Sequence, residues 1–187
     1  MSVISQPDNP KLIANDVDAF YSGNTDWRNT FGQDRKLLEV SHPNDKRLSS
    51  MDQLIYQFSR DLPENARIVD LGPSPVARDI IDIKTHSEKA NKNQRVTGVE
   101  LVIDNIKFAQ SKDENLKGSL SQGNVQSTPI KTDSCDGALL SSVIQYIKPG
   151  VFFEKVLPEI HHILKPGGTF LLIFKSTQGK DEYRSFF

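Results

Sequence analysis

The chain has 187 residues, enough for one domain with a sizeable core. Its 23 Lys+Arg against 24 Asp+Glu leave a formal net charge of -1, so composition supplies no drive toward nucleic acid or an anionic membrane. A single cysteine, Cys135, excludes an internal disulfide and a cysteine-built metal site; residues 1–10 lack the apolar core of a signal peptide, and no apolar run approaches the roughly 18 residues of a membrane span. A cytoplasmic protein is the expectation.

Residues 1–45 read as an irregular polar lead-in, interrupted by Pro7, Pro10, Gly23, Gly32 and Pro43 around one apolar nucleus of Val17, Phe20, Tyr21 and Trp27. Residues 46–187 carry the folded domain. Met51, Leu54, Ile55 and Phe58 recur at three- and four-residue steps, which predicts a helix from Ser49 that stops before Pro63. A strand over 68–71 comes next, then a helix over 76–83. Residues 85–94 read as a polar insertion; with Lys84, Lys89, Lys92 and Arg95 interleaved among Asn, Ser and Glu, it is expected to be a solvated loop. Beyond it lie a strand over 95–100, a helix over 103–112 with Ile103, Ile106, Phe108 and Ala109 facing the sheet, and a weak strand over 119–122. A strand over 137–141, a helix over 151–164 broken near Pro158 and a strand over 169–175 complete the series. Strands separated by helices imply parallel βαβ units with right-handed crossovers. The fold class is α/β, a doubly wound, mostly parallel sheet.

Two strands end on acids. Asp70-Leu71-Gly72 puts a tight turn at the carboxyl end of the first, and Gly98-Val99-Glu100 ends the second on a carboxylate suited to a pair of ribose hydroxyls. With Leu164-Lys165-Pro166-Gly167-Gly168 ahead of the apolar run Phe170 to Phe174, the set resembles the class I S-adenosylmethionine-dependent methyltransferases, over about residues 49–175. The Pro-Gly-Gly block is common in their small-molecule branch.

The resemblance implies S-adenosylmethionine as cofactor, methyl transfer to a small-molecule acceptor, and a binding site at Asp70, Gly72, Ser74, Glu100, Leu101, Asn124, Val125 and Ser141. Asn124 stands where an aspartate often reads the adenine amino group, Val125 would pack by the ring, and Ser141, Ser142 and Tyr146 would lie beneath or beside the methyl donor. Phe20, Tyr21 and Trp27 would close over it as a lid. Ser74 and Val76 replace the second and third glycines of the first motif, with Pro75 expected in the first helical turn. No residue is marked as a general base and none as a metal ligand. His161 and His162 fall on the helix before strand five, away from the expected site, and His42 and His86 lie in polar stretches without a partner. No Asn-Pro-Pro-Tyr-type segment comes after strand four, which weighs against methylation of nucleic-acid bases.

Strand five is apolar on both faces, as an interior strand would be, yet the sequence continues for only about a dozen residues, and the family's last two strands are expected to be missing. A second copy, another chain or the folded-back tail 175–187 is expected to pair with it. A catalytically silent domain of the same fold, completed by a partner, is the competing reading, favoured by the altered glycines. A nicotinamide-dependent oxidoreductase ranks third, since Gly-x-Gly-x-x-Gly is missing.

Overall fold

The computed structural model describes residues 50–175 and the short strand 183–184. In chain order these form α1 (Ser50–Asp61), β1 (Arg67–Leu71), α2 (Arg78–Lys89), β2 (Arg95–Glu100), α3 (Ile103–Lys112), β3 (Leu120–Gln122), β4 (Cys135–Ser141), a short α4 (Pro149–Val151), α5 (Leu157–Ile163), β5 (Leu164–Lys175) and β6 (Tyr183–Arg184). The strands make one sheet in the order β3-β2-β1-β4-β5-β6. β1 to β5 run parallel, and β6 is antiparallel to β5. The chain therefore moves outward from β1 to β3, returns, and moves outward again through β4 and β5. That reversal puts the switch point between β1 and β4, where such sheets bind ligands beyond their carboxyl ends.

Side-chain alternation along the strands divides the core in two. Ile68, Leu139, Leu171 and Ile173 face α1 and α2, meeting Ile55, Phe58, Ile80 and Ile83. Val69, Leu71, Val99, Ala138 and Leu140 face the opposite side, meeting Phe152, Val156, Ile160 and Ile163. Asp70 lies between Val69 and Leu71 and shares the parity of Ile68, so its carboxylate belongs to the α1/α2 face.

Several expectations need correction. α2 does not end at residue 83; it continues to Lys89, so half of the supposed insertion is helix. The segment between α2 and β2 leaves Ala90, Asn91 and Asn93 exposed but is anchored at two residues: Lys92 donates to the Ser59, Arg60 and Leu62 carbonyls at the end of α1, and the buried Gln94 bonds Ser59 and the Pro63 carbonyl. These satisfy carbonyls that a helix end leaves open. Lys84 likewise bonds the Asn115 carbonyl and Ser119. Ile103 is exposed, because the inward stripe of α3 runs through Val102, Ile106 and Ala109 with Asn105 between. Pro75 is not helical: Ala77 N–H bonds the Ser74 carbonyl at 2.7 Å in a turn, and α2 starts one residue after that turn.

The disturbance expected near Pro158 takes the form of a π-helical segment, Phe152–Val156, just ahead of α5. Proline cannot donate to the carbonyl four residues back, and widening the preceding turn accommodates that loss. At the sheet edge, Phe174 and Lys175 pair with Arg184 and Tyr183, so the tail supplies a short sixth strand. Among the described residues, no strand pairs with residues 169–173 on that side. The lead-in with Phe20, Tyr21, Trp27 and His42 lies outside the described residues.

Candidate functional site

The carboxyl ends of β1, β2 and β4 bring together most of the residues that the sequence marks. Gly72 comes directly after Leu71 at φ +82°, a conformation that costs glycine nothing and other residues much. Its N–H bonds the Val99 carbonyl at 2.9 Å, joining the turn after β1 to the end of β2. A Cβ at Gly72 would sit 2.7 Å from Val143 Cγ2, so the loop after β4 closes tightly over this turn. Ser74 lies further along the turn. Its hydroxyl is 3.5 Å from the Arg78 N–H, too long for a strong helix cap. Ala77, buried and left-handed at φ 48°, occupies the cap position without a side-chain bond.

Three carboxyl groups cluster beneath this turn. Asp70 is fully buried, and neither of its oxygens has a hydrogen-bond partner among the described residues. Burial drives its pKa well above the ordinary carboxylate range, and the charges of Asp79 and Glu100 push the same way. Asp79, in the first turn of α2, is pushed up to about 7 by burial and by Asp82, against a hydrogen bond from Ser141. Glu100 also rises to about 7 through burial, although Val102 N–H bonds its Oε1 at 2.8 Å and Asn105 Nδ2 approaches at 3.4 Å. The nearby guanidinium of Arg78 is committed elsewhere, to Asp52 at 2.5 Å and Asp82 at 3.2 Å.

The remaining positions take varied places. Leu101 is half-buried and its carbonyl accepts from Gln122 Nε2 at 3.2 Å. Asn124 Oδ1 accepts the Gln126 N–H at 2.9 Å, so the group expected to read adenine already closes a local turn while keeping its second lone pair. Val125 packs against the α4/α5-side core. This loop is tied down by Glu159 of α5, whose Oε1 accepts from both the N–H and hydroxyl of Thr128. Ser141 ends β4 beside Met51 of α1, with Oγ to Sδ 3.7 Å. Ser142 is left-handed at φ 57°, and Tyr146 is 40% exposed on the rim.

Among the described residues the histidines fall outside the site. His162 meets Thr132 at 2.9 Å near the amino-terminal edge of the sheet, and His86 does have a neighbour, stacking edge-on with Tyr56 at 4.5 Å between centroids. Sequence reasoning missed Asp79, Asp52, Arg78 and Val143. Asp79 is the findable one, an acid in the first turn of the helix that succeeds the Asp-x-Gly turn. Among the described residues no cluster of three or more His, Cys, Asp or Glu has metal-holding geometry.

Residues 84–172 match the family described as "Methyltransferase domain". Over those residues the chain is similar to the class I S-adenosylmethionine-dependent methyltransferases. Solved structures share the fold at low identity. A SAM-dependent methyltransferase from Aquifex aeolicus superimposes with a TM-score of 0.58 at 15% identity, covering 84% of this chain and 76% of that one. Phosphoethanolamine N-methyltransferase 1 from Haemonchus contortus gives 0.61 at 15% identity over 91% of this chain and 34% of that one. The [4+2]-cyclase SpnF gives 0.60 at 18% identity, with 90% and 64% covered. The chain spans half the length of another match, YcgJ of Bacillus subtilis. A search of curated proteins by sequence returned no match.

The residues at these strand ends fit S-adenosylmethionine, the cofactor of the proteins that the chain resembles. Asp70 presents two buried oxygens that lack a donor among the described residues, and S-adenosylmethionine carries an ammonium and a sulfonium. Glu100 has a second oxygen, Oε2, besides the Oε1 that Val102 and Asn105 bond, and the Leu101 backbone N–H also donates to this carboxylate.

Proposed function

We propose that this domain binds S-adenosylmethionine across the carboxyl ends of β1 and β2 and transfers its methyl group to a small-molecule acceptor. The observation that carries the reading is the pair of carboxylates on adjacent strands, Asp70 and Glu100, flanking the left-handed Gly72 turn. Bound there, the cofactor supplies an electrophilic methyl group for in-line displacement. Glu100 then accepts from the ribose hydroxyls, Asp70 faces the cationic end, and the Gly72 turn leaves the backbone open to close approach. The α1/α2 core holds these groups fixed, and holding reactants in line is most of what such a displacement needs.

A small acceptor is favoured by the near-neutral charge, and by Ser142-Val143-Ile144-Gln145 in place of an Asn-Pro-Pro-Tyr-type segment after β4. The Haemonchus contortus structure holds phosphoethanolamine, an acceptor-sized molecule. A second reading, cofactor binding without transfer, is favoured by the side chains of Ser74 and Val76 in the binding turn. SpnF, a cyclase, supports it by hosting other chemistry on this fold.

Calorimetric titration with S-adenosylmethionine and S-adenosylhomocysteine tests the site. Glu100→Ala is expected to weaken binding by about 1.5–3 kcal/mol, the range of a charge-assisted hydrogen bond. Wild-type affinity in a folded Glu100→Ala protein removes Glu100 from the site. Saturable binding with no methyl release across a panel of small amines, thiols and phenols favours the silent reading.

A further inference from the structure

Asp70 sits at zero exposure with neither oxygen hydrogen-bonded among the described residues, in a pocket of other acids. The groups facing it from each packed element are mostly carboxyls. β2 brings Glu100 and α2 brings Asp79, which in turn faces Asp82 of α2 and Asp52 of α1. β4 contributes the neutral Ser141, which hydrogen-bonds Asp79. The nearby guanidinium of Arg78 bonds Asp52 and Asp82. His86, later on α2, is turned to Tyr56, and burial lowers its pKa. An ionised carboxylate without donor or counter-charge is costly to bury, and such a group keeps its proton instead.

We propose that Asp70 is a neutral acid in the ligand-free protein and that loading a cationic ligand at this site expels its proton to solvent. The inference rests on the cofactor reading above and adds its regulation. The step balances simply. The Asp70 O–H bond breaks, the proton passes to buffer, and the carboxylate left behind pairs with the ligand's positive group. No net charge is then added to the buried site. The direction of the Asp70 shift, upward through burial and then through Asp79 and Glu100, agrees with this arrangement. The consequence is cofactor affinity that falls with acidification, by up to about tenfold per pH unit for one linked proton.

The test is titration of the wild-type chain with S-adenosylmethionine at pH 6, in phosphate and in imidazole, whose ionisation enthalpies differ. The expected result is a difference in apparent enthalpy between the buffers equal to the release of at least about one proton. Affinity should rise between pH 5.5 and 7.5. In Asp70→Asn, checked for folding by circular dichroism, the proton release should fall by close to one, leaving at most what Glu100, itself raised to about 7, gives up. Saturable binding with identical enthalpies in both buffers overturns the inference while leaving the cofactor site standing. Full proton release retained in folded Asp70→Asn overturns the assignment to Asp70. Absence of saturable heat from pH 5 to 9 overturns the cofactor reading and this inference together.

Discussion

Replacing Glu100 by glutamine removes a charge that the fold holds at a cost. In the folded chain the Glu100 carboxyl is lifted from an ordinary value of 4.5 to about 7, with burial the first cause. That shift corresponds to about 3 kcal/mol, at 1.36 kcal/mol per pKa unit. The sign comes from proton counting. Between the unfolded and folded pKa values the folded chain binds more protons, so the contribution to stability is full below about pH 4 and is lost as pH rises through 7. In Glu100→Gln the new side chain retains a carbonyl oxygen for the Val102 N–H and cannot ionise. Urea unfolding monitored by circular dichroism should show the variant gaining on wild type from pH 4 to pH 8 by up to about 3 kcal/mol. The same variant should bind S-adenosylmethionine more weakly, since the ionised acceptor is gone. Parallel stability curves for the two proteins across that pH range would refute the argument that Glu100 is buried at an electrostatic cost.

Three further substitutions probe the turn and its supports. Gly72→Ala forces a side chain into a left-handed conformation against Val143 and should cost about 1–3 kcal/mol by denaturant unfolding, with loss of cofactor binding. Gly98→Ala places a Cβ 2.7 Å from Ile80 Cδ1 and Leu120 Cδ2 and 2.9 Å from Pro73 Cγ, so overpacking of about 1–3 kcal/mol is expected, and unchanged stability would show that the turn yields freely. Ser74→Gly should leave affinity equal or improved, because the hydroxyl makes only a long contact to Arg78 N–H; a tenfold loss on calorimetric titration would make Ser74 a ligand contact.

β1 and β2 were legible in the sequence because each is short, carries apolar residues and is succeeded by a helical period. Arg95–Glu100 and Ile103–Lys112 fall where the pattern puts them. What escaped reading depends on contacts between distant segments. Nothing local in Lys92 or Gln94 reveals that they close the end of α1, some thirty residues earlier. Ile103 looks inward by composition, yet Glu100 draws Asn105 into the core with Ile106 and turns the helix accordingly. Asp70 and Glu100 were readable from their place at strand ends. Their grouping with Asp79 and Asp52 was not, because it needs the crossing of α1 and α2 over β1.

The clasp around Asp136 lies at the other edge of the sheet. Its carboxylate accepts the Arg67 N–H at 2.8 Å and bonds Lys165 Nζ at 2.7 Å, so one side chain on β4 fixes the entry of β1 and the start of β5. Strand alignment is thus secured far from the segments that succeed β1, β2 and β4. Those segments are free to diversify without dissolving the scaffold. A library randomised over residues 142–147 should keep folded members in quantity, while one randomised at Asp136 and Lys165 should not. Evolution can therefore vary one rim of this sheet and leave the other untouched.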